Sequence, residues 1–248
     1  MEEKLSKCLW VLEMKLEGIR PSNFSGVPAL MAISALVMIL GGIEFSSLWM
    51  GITGWALIFA SWGVSAKIEN KTLVLKYAFG LLPIKLRAED IDEVLILNRV
   101  ERGVLLRHFP IVGIAYMGAL VYALYRYSTF PENLLPGYYL GALGIIVISS
   151  SVLLSMAVPT GKTRHKLLAT VAISIAGAFL LWLKTRKAEM IPMIAVLAMI
   201  TLLIVYDIDT EDHIVLKTKK GKYLLTSNAP RDKVERAIKA IMEVLSDD

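Results

Sequence analysis

The sequence predicts an α-helical polytopic membrane protein of six transmembrane helices, with a β-rich cytoplasmic domain split in two by four of them. Three observations predict it. The apolar fraction is 56%, and mean hydropathy is +0.60, against an ordinary soluble domain's ~45–50% apolar residues with glycine counted. Six apolar stretches approach the ~20 residues a helix needs to cross a bilayer. Between and after them lie charged segments, two of which alternate like strands rather than helices.

The N-terminal segment 1–26 begins MEEKLSKCLWVLEMKLEG. Leu5, Leu9, Leu12 and Leu16 recur at helical spacing, which predicts an amphipathic helix. Its polar face mixes Glu and Lys, unlike a strongly basic lipid-binding helix. Packing on the protein, lying at the interface and binding a partner remain open. No secretory leader is read here.

The six spans run Val27–Ile43, Ser46–Val64, Phe109–Tyr125, Leu134–Val158, Leu167–Leu183 and Met190–Tyr206. The first two form a hairpin (27–64) and the last four a group (109–206). No acidic or basic residue lies near the centre of any. An even number places both termini on one side. That side holds 23 Lys and Arg, the other only four, at Arg126, Lys184, Arg186 and Lys187. The positive-inside bias puts both termini in the cytoplasm of a cell-membrane protein.

Segment 65–108 reads as strands. Leu73, Leu75, Tyr77 and Phe79 alternate with a second face, Gly80 breaks the run, and Ile84 and Leu86 resume it. AEDIDEV then leads to an apolar strand, Val94–Leu97. In segment 207–248, His213–Thr218 and Lys222–Thr226 predict a hairpin about Lys220-Gly221. A helix follows, with Pro230 at its start and Val234, Ile238, Ile241 and Leu245 on one stripe. Neither segment covers its own apolar face or edges. Together they supply a sheet and a helix to close it, and both are expected on the cytoplasmic side.

The order KIENKTLVLKY, LRAEDIDEVLIL, HIVLKTKKGKYLLTS and APRDKVERAIKAIMEVL resembles the bacterial pleckstrin-homology-like (PH-like) membrane-associated domains. That resemblance implies a small barrel or sandwich of two sheets, plugged by a C-terminal helix and attached to membrane helices. It implies interaction rather than catalysis and supplies no catalytic residues. Here the domain carries four inserted spans.

Candidate chemistry is sparse. Cys8 is the single cysteine, so no intramolecular disulfide or CxxC site exists. Glutamine is absent while Lys and Glu abound, a heat-adapted composition. Val158–Thr163 ends like a phosphate-binding loop, but Met156 stands where glycine is required, so it reads as a basic cytoplasmic loop with Arg164 and Lys166 near lipid headgroups. Asp207, Asp209, Glu211 and Asp212 begin like a calcium loop without its glycine and distal glutamate. They read as a solvated exit from the last span, and Glu89, Asp90, Asp92 and Glu93 as a charged strand edge. Ser149, Ser150, Ser151 and Ser155 are the best polar set within a span. His108 or His165 with Asp207 would be the minimum for an interfacial enzyme, and spacing gives no reason for one.

Two sites remain. Lys217, Lys219, Lys220 and Lys222 cluster on the tail hairpin, where each lysine near an anionic leaflet contributes ~1 kcal/mol. Gly137, Gly141 and Gly144 offer a close helix contact, within the chain or between copies. The sequence therefore predicts a non-enzymatic interaction module that binds protein, peptide or lipid headgroups, with no cofactor and no nucleic acid. Its expected partners are the bilayer, anionic headgroups, a protein, or a second copy. The alternative is a small transporter or membrane-complex subunit regulated by the PH-like module.

Overall fold

A computed structural model describes residues 13–45, 47–70, 72–97, 103–131, 136–158, 163–187, 191–210, 212–227 and 229–246. The chain forms two compact units. One takes residues up to 32, 56–98 and 211–248, and the other takes 33–55 and 99–210.

The first unit holds two antiparallel four-stranded sheets. Sheet one has the order β1 (Glu13–Lys15), β3 (Gly63–Glu69), β4 (Thr72–Tyr77), β5 (Leu82–Arg87). Sheet two has the order β2 (Ile19–Pro21), β8 (Gly221–Ser227), β7 (Asp212–Thr218), β6 (Ile91–Leu97). Both predicted strand groups are present. The tail hairpin pairs Lys217 with Lys222 and His213 with Thr226.

One core joins the sheets. Ala66, Ile68, Leu73, Leu75, Tyr77 and Leu86 from sheet one meet Ile214, Leu216 and Leu225 from sheet two. The last helix, Arg231–Ser246, adds Val234, Ile238 and Ile241 from one stripe. Each such side chain contributes about 1.5–3 kcal/mol by leaving water. The helix starts one residue later than predicted. The carbonyl of Pro230 accepts from the amides of Lys233 and Val234, at 2.8 and 3.2 Å.

The N-terminal helix is corrected. Residues 1–12 lie outside the described residues, but from Glu13 the chain is strand, turn and strand. Leu16 is buried in the sheet core instead of lying on a helical stripe. The turn at Glu17-Gly18 carries the chain from sheet one to sheet two. Gly18 sits at φ +74°, and a Cβ there would approach the Cβ of Ala229 to 2.9 Å. Two long-range ladders outweigh a local leucine spacing that propensity alone supports only weakly.

Phe79 is also corrected. The strand ends at Tyr77, and Ala78, Phe79 and Gly80 all have positive φ (49°, 57° and 92°). That turn swings Phe79 out of the core face, leaving it 79% exposed.

Each predicted span contains a helix: α1 (Gly26–Glu44), α2 (Leu48–Ser61), α4 (Pro110–Thr129), α5 (Pro136–Ala157), α6 (Thr163–Thr185) and α7 (Ile191–Thr210). A short α3 (Val104–His108) precedes α4, and the C-terminal helix is α8. Among the described residues, three helices are long and apolar enough to cross a membrane: α1, α5 over Gly137–Ala157, and α6. The expectation of six is met only in part for physical reasons. The 14 residues of α2 reach about 21 Å, short of a ~30 Å hydrocarbon core. In α4, Arg126 and four tyrosines lower the hydropathy. In α7 the described apolar stretch is Ile194–Tyr206.

In the second unit, the N-terminal part of α6 is inside-out. On α6, Lys166, Thr170 and Ser174 are buried while Leu168, Val171, Ile175 and Phe179 are exposed. Water would favour the reverse, and lipid favours this one. Within the hairpin of α1 and α2, Gly42 and Gly54 let the backbones touch. A Cβ on Gly42 would lie 2.9 Å from the Gly51 nitrogen, and one on Gly54 would lie 2.9 Å from the Ala35 carbonyl.

Candidate functional site

The lysine hairpin sits at the tip of β7 and β8. The Thr218 hydroxyl donates to the Gly221 carbonyl at 2.7 Å and accepts from the Lys220 amide at 3.2 Å. Gly221 closes the turn at φ +140°. The four lysines are not a uniform cationic patch. Lys217 donates to Glu93 at 2.5 Å, and Lys220 lies 3.8 Å from Asp90. The Lys219 amide also donates to the Asp90 carbonyl at 3.0 Å. Antiparallel pairing of β6 with β7 creates this, because Ile91 faces Thr218 and Glu93 faces Lys217. Two members of the acidic run on the β6 edge, Asp90 and Glu93, are thus counter-charges of the hairpin, while Glu89 pairs with Arg87. Lys219 and Lys222 are exposed, with no carboxylate partner among the described residues.

The glycine set divides. A Cβ on Gly141 would meet the Ile43 side chain of α1 at 3.2 Å. One on Gly144 would meet Leu197 of α7 at 3.1 Å. A Cβ on Gly137 would meet nothing within 4 Å. Gly141 and Gly144 therefore admit side chains from two different helices of the same chain.

Buried polar groups on α5 and α6 include the serines expected from the sequence, but the α6 members were not singled out there. Lys166, read there as part of a loop beside headgroups, lies in the first turn of α6 and is 4% exposed. Its ammonium donates to the Ser155 carbonyl at 2.9 Å. Ser155 stands in the last turn of α5, where carbonyls lack helical donors and carry partial negative charge. Further along, a Cβ on Gly177 of α6 would meet Val147 of α5 at 3.3 Å. These contacts, with helical spacing, put Val147, Ser151 and Ser155 on the side of α5 toward α6, whereas Ser149 lies about 200° around the helix from Ser151. Thr170 donates to the Lys166 carbonyl and Ser174 to the Thr170 carbonyl, at 3.0 and 2.8 Å. By contrast, the buried hydroxyls of Ser149, Ser151 and Ser155 have no hydrogen-bond partner among the described residues. The sequence signal was Lys166, Thr170 and Ser174 at intervals of four in an apolar segment.

His165 is exposed on α6. The side chains of Asp207, Asp209, Glu211 and Asp212, and residues 159–162 of the phosphate-loop-like segment, lie outside the described residues. Among the described residues no group of three His, Cys, Asp or Glu is arranged to hold a metal ion. No protein-family model, curated protein or solved structure matches the chain.

Proposed function

We propose that the chain is a multi-pass protein of the cell membrane whose two-sheet unit is a PH-like interaction module, acting by recognition rather than catalysis. All six helical segments cross or enter the bilayer in this reading, and both termini are cytoplasmic. The observation that carries it is the shared core: two four-stranded sheets and α8 close on one another although apolar helices separate their segments. Four chain crossings tether the unit, at β2 to α1, α2 to β3, β6 to α3 and α7 to β7. A module so held presents two recognition features. One is β6, which has a ladder partner on one side only among the described residues and can accept an added strand. The other is the exposed pair Lys219 and Lys222, suited to an anionic headgroup.

Hydrogen exchange on the full chain tests this in three bilayers: nanodiscs cut from native membrane, pure phosphatidylcholine, and phosphatidylcholine with anionic phosphatidylglycerol. Protection of β6 amides in native discs alone supports a protein or peptide partner. Protection of residues 217–222 on adding phosphatidylglycerol supports headgroup binding. Identical exchange in all three overturns the interaction reading.

The buried polar groups on α5 and α6 favour a second reading, a small transporter regulated by the module. Buried polar and ionisable groups in membrane helices mark solute paths. Proteoliposomes carrying proton- and chloride-sensitive dyes test it. Flux above empty vesicles that falls in Lys166→Met supports transport, and its absence sets the reading aside for those ions.

A further inference from the structure

We infer that the β4–β5 turn, Ala78–Leu81, is a membrane-dipping loop that places Phe79 and Leu81 in the interfacial layer of the bilayer. This rests on the membrane attachment of α1, not on any ligand of the module.

Exposure is the first support. Phe79 and Leu81 are 79% and 86% exposed, on a unit whose other sheet-one apolar residues largely point into a core. Backbone geometry is the second. Ala78 and Phe79, neither of them glycine, occupy left-handed φ together with Gly80. L-residues with a Cβ disfavour that region, and the turn keeps it while turning its largest side chain away from the core. Such an outlier points to a function for the displayed side chain.

Position names the occupant. Tyr77, just before the turn, pairs with Gly63 at the start of β3. Its hydroxyl donates to the Ser22 carbonyl at 3.3 Å. Gly63 itself lies so close to Pro21 that a Cβ would fall 1.7 Å from the Pro21 carbonyl oxygen. Ser22 leads into α1 at Gly26, a helix long and apolar enough to cross a membrane. Asn23 donates to Ser61, the last residue of α2, at 3.0 Å. The turn is therefore at the end of sheet one from which α1 and α2 leave. Trp62 marks the same end, exposed and edge-on to Phe59 with ring centroids 5.3 Å apart. Tryptophan concentrates at the headgroup level of bilayers. An apolar turn beside such a tryptophan, one strand spacing away, meets lipid rather than water.

The test uses the full chain in phosphatidylcholine nanodiscs, with the single cysteine removed as Cys8→Ser. Phe79→Cys and, as control, Arg87→Cys carry the environment-sensitive fluorophore NBD. Arg87 ends β5 opposite Thr72, about 17 Å from the turn along the strand. The expected result is blue-shifted emission at position 79, quenched by spin-labelled lipid and resistant to iodide, with the reverse at position 87. Iodide-accessible emission at 79 overturns the inference. So does emission shielded from both quenchers, which would place the turn against protein. Loss of every partner of the module would leave the expected result unchanged.

Discussion

The ammonium of Lys166 donates to the carbonyl of Ser155 at 2.9 Å, joining the first turn of α6 to the last turn of α5. A buried cation there complements the negative end of α5, an interaction of about 0.3–2 kcal/mol. Replacing it separates structure from transport. Lys166→Met keeps the volume and is expected to lower stability by about 1–2 kcal/mol, with Lys166→Arg intermediate. Thermal unfolding in detergent checks this. An unchanged midpoint in Lys166→Met would remove the capping role.

Gly63 and Gly51 have opposite expected tolerances. Gly63→Ala drives a Cβ into the Pro21 backbone, a clash that flexible side chains cannot relieve. It is expected to cost at least about 3 kcal/mol. Gly51→Ala meets open space inside α2 and is expected to be neutral or to stabilise by up to about 1 kcal/mol. Unfolding midpoints of the two variants check the contrast.

The Lys217–Glu93 pair lies at a partly exposed strand edge. A double-mutant cycle with Lys217→Ala and Glu93→Ala is expected to give a coupling of about 0.2–1 kcal/mol that shrinks with salt. A coupling unaffected by salt would contradict a screened surface pair.

Burial, with a smaller contribution from Tyr223, pushes the Tyr77 phenol well above its ordinary range. A raised folded-state value means the folded unit holds its proton more tightly. The stabilisation is complete below about pH 10, the value of an unperturbed phenol, and is lost as pH rises beyond it. Tyr77→Phe is expected to flatten the alkaline limb of the stability profile and to cost about 1 kcal/mol at neutral pH through the lost Ser22 bond. Chemical denaturation from pH 7 to 11 checks both, and parallel alkaline limbs would rule out Tyr77 as the titrating group.

At Asp232, the hydrogen bond from Arg236 holds the carboxyl below the usual range. The group adds stability at neutral pH that disappears as pH falls through its folded-state value. Arg236→Ala is expected to move that acid transition of α8 upward, as read by the carboxyl chemical shift of Asp232.

The sequence by itself determined the elements whose patterns are local. Alternation at Leu73, Leu75 and Tyr77 located β4, the Lys220-Gly221 pair located the β7–β8 turn, and the stripe from Val234 located α8. Apolar runs located the six helices, because hydropathy and period need no partner to be read. Tertiary structure decided whatever depends on a partner distant in the chain. Leu16 ends a helical leucine spacing, yet Met14 and Leu16 pair with Ile68 and Ala66, more than forty residues on, and make this stretch part of a sheet. Asp90 and Glu93 became counter-charges of the lysine hairpin only through the pairing of β6 with β7, across 124 residues in the Lys217–Glu93 case. Lys166 reads as a loop cation until α6 returns antiparallel to α5 and meets the Ser155 carbonyl. Local order follows from periodicity, whereas burial, charge partners and strand register are properties of pairs that only the folded chain brings together.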